Sequence, residues 1–299
     1  MLKSVKSAFC LLFLAFPIVA PTPLVQAQDS HESVEEKFKR MAPGTLPKDV
    51  VTSFHRRSVD SSLYPWRAIG RVNIGGRAHC SGSLIAENIV LTAAHCLYSK
   101  QTAKMVAPGI VHFVAGYSKG EQIAHSKVTR YTVGPKFDGH KGAAPANLPY
   151  DWALLVLEDA IGTEHGYLEL HDNLKPLEKK PRIRPRVALE TSNIVTAGYP
   201  GDRSHVLSLE ENCEVERTAH RGHILVTSCL AIKGDSGGPI LQKPSDRWVL
   251  IGIQTAATTV GRKHASLGLS ALAFRDTFAA VIKQLAKEEA SGKAALTSE

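Results

Sequence analysis

From Tyr64 onward, apolar and polar positions alternate in short runs broken by glycine, proline and asparagine. Trp66-Arg67-Ala68-Ile69-Gly70-Arg71-Val72-Asn73-Ile74 has the period-two pattern of a half-buried strand, and Gly75-Gly76 ends it as a turn. Ser83-Leu84-Ile85 and Ile89-Val90-Leu91-Thr92 read as strands around Ala86-Glu87-Asn88, with further strands expected at Val111–Ala115 and Val128–Val133. Trp152-Ala153-Leu154-Leu155-Val156-Leu157 is apolar on both faces and predicts a fully buried strand. A second set follows at Asn193–Ala197, His205–Leu209, His223–Thr227, Ile240–Gln242 and Val249–Thr255. The end of the chain differs: Phe274, Phe278, Val281, Ile282 and Leu285 recur at helical spacing, predicting an amphipathic helix with one packed face.

With 299 residues, 43% hydrophobic and 21% charged, the chain has enough apolar material for one large core or two small ones. The pattern divides it further. Lys3 and Lys6 precede an apolar run from Ala8 to Ala20, and Val25-Gln26-Ala27 supplies small residues, so residues 1–27 read as a secretory signal peptide. The run holds Pro17 and falls short of the roughly 20 residues a spanning helix needs, which argues against a membrane anchor. Residues 28–57 are polar, are broken by Pro43, Gly44 and Pro47, and end in His55-Arg56-Arg57; a pro-segment or an arm that stays attached both fit. Strand-rich halves then cover 58–160 and 187–272, joined by a linker at 161–186, and the helix and tail occupy 273–299.

Cysteine usage agrees with export. Cys10 lies in the segment to be removed, leaving Cys80, Cys96, Cys213 and Cys229 as an even set for an oxidising compartment, secreted or periplasmic. Three pairings are possible, and proximity favours Cys80–Cys96 and Cys213–Cys229; each would close a loop worth about 3 kcal/mol by the chain-entropy argument. No Cys-x-x-Cys is present, so neither a metal nor another cofactor is expected. The formal charge of +8 concentrates in Lys175–Arg186, a proline-interrupted basic run that reads as a solvated linker. Nothing aromatic interleaves it, which argues against nucleic acid as a partner. A monomer with protein or peptide substrates and no membrane span after signal removal is the expectation.

The chemistry concentrates in Lys233-Gly234-Asp235-Ser236-Gly237-Gly238-Pro239-Ile240. A serine among glycines has its hydroxyl presented rather than packed, and the backbone N–H groups beside it are free to face an oxyanion. A hydroxyl is a poor nucleophile at neutral pH and needs an imidazole base, itself oriented by a carboxylate. His95 fits the first role: it follows a strand, lies among small residues and adjoins Cys96. Asp151 fits the second, at the rim of the buried run Trp152–Leu157, where a partly desolvated carboxylate seeks a donor.

Leu91-Thr92-Ala93-Ala94-His95-Cys96, Asp151-Trp152-Ala153-Leu154-Leu155 and Gly234-Asp235-Ser236-Gly237-Gly238-Pro239 resemble the three signatures of the trypsin/chymotrypsin-like serine peptidases, in that family's order. Tyr64-Pro65-Trp66, Cys80-Ser81-Gly82-Ser83-Leu84-Ile85 and Gly252-Ile253 extend the likeness over roughly residues 60–285. Ala197-Gly198-Tyr199-Pro200-Gly201-Asp202 is similar to the bacterial glutamyl-endopeptidase-like branch. The resemblance implies an all-β fold of two six-stranded antiparallel β-barrels followed by the C-terminal α-helix. It implies Ser236 as nucleophile, His95 as base, Asp151 as orienter, and the N–H groups of Gly234 and Ser236 as the oxyanion hole. It also implies a Cys80–Cys96 bridge behind the histidine.

Two departures stand out. Leu230 occupies the specificity position where trypsin-like members carry an acid, and Gln254-Thr255-Ala256-Ala257 lacks the histidine of glutamate-specific members. With Leu230, Thr255 and Ala257 as substrate-binding residues, a small or medium apolar P1 side chain is expected. There is also no Ile-Val-Gly-Gly type terminus near Arg57 to pair with Asp235; cleavage after Arg57, freeing Ser58, is the activation step to test. An α/β-hydrolase esterase fails on order, since that fold needs its acid and histidine after the serine. A catalytically silent binding module on the same scaffold is the remaining alternative.

Overall fold

Alternation along Ile69–Ile74 sets Gly70, Val72 and Ile74 on one buried face and leaves Arg71 and Asn73 half-buried on the opposite face, where Ile69 at the strand's start is also buried. The computed structural model describes residues 56–171, 192–260 and 263–296. The signal peptide, all but the end of the 28–57 segment and most of the basic linker lie outside the described residues.

In chain order the strands of the first half are β1 (Arg57–Ser58), β2 (Ile69–Ile74), β3 (Ala78–Leu84), β4 (Ile89–Thr92), β5 (Tyr98–Ser99), β6 (Lys104–Met105), β7 (Val111–Ala115), β8 (Ala124–Val133) and β9 (Ala153–Leu157). Strands β2, β3, β4, β9, β8 and β7 close into a barrel, with β7 returning to β2 at Val72↔Phe113. Closure removes free edges, and the strand registers put Val72, Leu84, Val90, Phe113 and Leu155, all buried, on one shared face. The short β5–β6 hairpin stands apart from this barrel.

After β10 (Glu169–Leu170) come β11 (Ile194–Gly198), β12 (Ser208–Cys213), β13 (Val215–Ala219), β14 (Ile224–Thr227), β15 (Pro239–Gln242), β16 (Val249–Val260) and β17 (Lys263–Ser270). They form one sheet in the order β1-β12-β11-β15-β16-β17-β14-β13, with β10 added in parallel on β16. The resemblance implied a second closed barrel; the structure has a curled half-barrel in which β12, next to the end strand β1, is joined through Glu214 to β13 at the other end. Asn212 takes φ +60° there, and Glu214 exchanges hydrogen bonds with Ser228, so the chain bends from one ladder to the next. A disulfide between Cys213 and Cys229 pins this corner.

The C-terminal helix runs from Arg275 to Leu296. Phe278, Val281 and Leu285 pack on the core as their spacing predicts, whereas Ile282 falls on the exposed side. Phe274, fully buried just ahead of the helix, meets Trp152 with ring centroids 6.3 Å apart, and Glu288 accepts from Arg130 of β8 at 2.6 Å. The helix therefore braces the first barrel as well as its own half.

Candidate active site

Pairing of β4 with β9 brings the first two residues together. The register sets Thr92 opposite Ala153, so the chain leaving β4 and the chain entering β9 meet at one end of the barrel. His95 lies in the short turn Ala94–Leu97 beyond β4, and Asp151 ends the turn Leu148–Tyr150 ahead of β9. The His95 backbone N–H donates to Asp151 Oδ1 at 2.8 Å, and ring Nδ1 lies 2.7 Å from Oδ2. Asp151 is only 2% exposed. An ionised carboxylate can only accept, so the ring proton sits on Nδ1 and Nε2 keeps its lone pair. That tautomer is the one a general base needs. The disulfide Cys80–Cys96 ties the turn carrying His95 to β3.

The serine turn comes from the other half and is docked onto this one. Gly237, at φ +80°, sits so tightly that a Cβ would collide with Thr92 Oγ1 and Ser81 O and would lie 2.8 Å from Ala93 N. Ser236 therefore rests on the residues that lead into His95. Gly234 has φ +102°, and a Cβ there would press on Tyr199 O and come within 2.9 Å of Gly201 N. Among the described residues, neither the Gly234 nor the Ser236 N–H donates to a backbone carbonyl. Two N–H donors without backbone acceptors, one on each side of Asp235, are what an oxyanion hole requires.

Sequence reasoning missed the residue that joins the halves. Ser81 of β3 donates its N–H to Ser236 O at 2.9 Å and its hydroxyl to Gly234 O at 2.8 Å, while the same hydroxyl accepts from Tyr199 N at 2.8 Å. It was visible only as a small residue beside Cys80. His79, on the same strand, approaches Gly234 and donates from Nε2 to Tyr199 O at 2.9 Å; burial holds its ring below the ordinary histidine range.

Asp235 is the second residue whose surroundings the sequence did not reveal. It is fully buried, and both carboxylate oxygens accept from Arg56 Nη1 at 2.9 Å. Burial pushes its carboxyl above the ordinary range, and the Arg56 guanidinium and the Ile232 N–H oppose that push. Arg57, one residue on, instead faces outward and pairs with Glu211.

Beside Ser236 opens a cavity of about 180 Å³ lined by Ala231, Ile232, Lys233, Gln254, Thr255, Ala256 and Ala257. Of the three substrate-binding residues expected from sequence, Thr255 and Ala257 line it. Leu230 does not, and its carbonyl is instead turned to Arg56 Nη2. Cys80, His95 and Cys96 bring potential metal-ligand atoms within 4.8 Å, but both sulfurs are held in the disulfide and cannot act as thiolates. Among the described residues, no helix is long and apolar enough to cross a membrane.

Residues 55–269 match the family model described as Trypsin. A glutamyl endopeptidase of Bacillus licheniformis is 22% identical over 74% of this chain and 63% of its own length. Coagulation factor XI of Bos taurus is 25% identical over 67% of this chain and 33% of its own. The chain thus spans less than two thirds of either relative. Among solved structures, a Glu endopeptidase superposes with a TM-score of 0.57 at 20% identity, covering 75% of this chain and 95% of that one.

Proposed function

We propose, for a chain that belongs to the trypsin family of serine peptidases, that it is an exported endopeptidase acting through Ser236, His95 and Asp151. The observation that carries this is the 2.7 Å contact between His95 Nδ1 and buried Asp151 Oδ2 beside the turn that presents Ser236. Ser236 Oγ attacks the scissile carbonyl while His95 Nε2 takes its proton. The Gly234 and Ser236 N–H groups receive the oxyanion, a contribution of about 3–4 kcal/mol per donor. His95 then protonates the leaving amine, Asp151 supports the imidazolium, and water deacylates the serine by the same route in reverse.

The pocket beside Ser236 supports a small or medium apolar P1 residue, because its walls are mostly alanine, isoleucine and threonine and include no carboxylate for a cationic side chain. A second reading is an acidic P1, favoured by Lys233 at the same cavity and by the glutamyl endopeptidase likeness. The signal-like N-terminus and the two disulfides support export to an oxidising compartment.

Labelling by a fluorophosphonate tests the chemistry: wild type should react and Ser236→Ala should not. An unreactive wild type would overturn the hydrolase in favour of a silent peptide-binding module. A peptide library varied at P1 separates the apolar from the acidic reading.

A further inference from the structure

We propose that Arg56 is a positioning residue for the oxyanion hole, clamping Asp235 through its guanidinium so that no freed α-amino terminus is needed to assemble the site. The proposal rests on the peptidase reading above.

Asp235 sits between the two residues whose N–H groups form the hole. Its Oδ2 accepts the Ile232 N–H at 2.9 Å while its own N–H donates to Ile232 O at 3.1 Å. The direction of this carboxylate therefore sets the peptide planes on both sides of it. Arg56, 5% exposed, holds both carboxylate oxygens with Nη1 and reaches Leu230 O with Nη2 at 2.5 Å. One planar group thus ties the two ends of the 230–235 loop together, a task suited to a fork of five donors and not to a single ammonium.

Arg56 is itself fixed. Its Nε donates to Glu210 at 3.2 Å, and its carbonyl accepts from Arg203 Nη1 at 2.8 Å. The next residues enter the sheet as β1, with Arg57 opposite Leu209 and Ser58 opposite Ser208. Arg203 Nη2 also donates to the Ser58 hydroxyl. Cleavage after Arg57 would free Ser58 yet detach Arg56 from the sheet that holds it. On this proposal the dibasic pair is a site where cutting inactivates, and any maturation cleavage falls before Arg56.

The experiment compares wild type, Arg56→Ala and Arg56→Lys as full-length secreted proteins, with active sites titrated and folding checked by circular dichroism. Arg56→Ala should lose kcat by about 10²–10³-fold, the size of a lost oxyanion donor, with KM changed only a few-fold. Methylguanidinium should restore part of that loss, and Arg56→Lys should fall between. A merely structural role would lower the fraction of titratable enzyme and leave kcat per site unchanged. Folded Arg56→Ala with wild-type kcat overturns the proposal. Should both variants fail to fold, the wild type decides: cyanate at neutral pH modifies α-amino groups ahead of lysines because of their lower pKa. Activity should survive that treatment, and its loss refutes the clamp. A wild type that fails to react with fluorophosphonate at all refutes the peptidase reading instead.

Discussion

Ser81 donates its backbone N–H to the carbonyl of Ser236 across the cleft, at 2.9 Å. The Ser81 hydroxyl adds a bond to Gly234 O and accepts from Tyr199 N, so one residue of the closed barrel holds the turn carrying Ser236 by two bonds and Tyr199 by a third. The two halves are registered by a polar seam at the site itself.

Ser81→Ala removes the hydroxyl and leaves the Gly234 carbonyl and the Tyr199 N–H buried without that partner. Stability should fall by about 1–3 kcal/mol, the cost of unsatisfied buried groups. Turnover should drop through kcat more than KM. Urea denaturation and steady-state kinetics with a peptide ester check both.

Asp151→Asn keeps the shape of the acid but presents an amide that can donate where the carboxylate only accepts. His95 is then free to take the tautomer with its proton on Nε2, which cannot accept from Ser236. We expect kcat to fall by about 10³–10⁴-fold at neutral pH with the fold intact. A loss below tenfold would contradict the orienting role.

Gly234→Ala places a methyl against Tyr199 O and Gly201 N at a φ that side chains rarely adopt. The 230–235 loop must shift, so the Gly234 N–H proposed as an oxyanion donor moves. The expected result is a fall in kcat of roughly 10²-fold or more and slower fluorophosphonate labelling, with KM little changed.

Arg56→Ala and Arg57→Ala should separate sharply with pH. Burial already raises the Asp235 carboxyl, and removing Arg56 takes away the charge that opposes the rise. A carboxyl whose folded pKa exceeds its unfolded value is tolerated protonated and penalised once ionised. The stability deficit of Arg56→Ala should therefore be small at acid pH and grow as pH rises through the Asp235 value. It approaches about 3–5 kcal/mol, the cost of breaking a buried pair. Glu210 loses the same partner, and Arg203, which donates to the Arg56 carbonyl, lies beside it. Arg57→Ala breaks only the exposed pair with Glu211 and should cost about 0–1 kcal/mol. Urea midpoints at pH 5 and pH 8 test the contrast.

The sequence by itself indicated the alternating strands, favoured the cysteine pairs that meet, and pointed to His95 and Asp151, which the structure brings together beside the Ser236 turn, because each depends on local pattern or on motifs contiguous in the chain. It also predicted the packed face of the C-terminal helix, save for Ile282. Contacts over long separations were not legible. Ser81 looked like a filler between Cys80 and Gly82, since nothing local shows what a small hydroxyl meets in the other half. Arg56-Arg57 read as a protease site because two adjacent basic residues carry the same local signal whether buried or exposed. Only the tertiary structure distinguished them: the strand geometry that pairs Arg57 with Leu209 leaves Arg57 exposed and Arg56 buried against Asp235. Specificity followed the same rule. Leu230 was assigned to the pocket by its place in the motif, whereas Ala231 and Ile232 line the cavity and the Leu230 carbonyl accepts from Arg56.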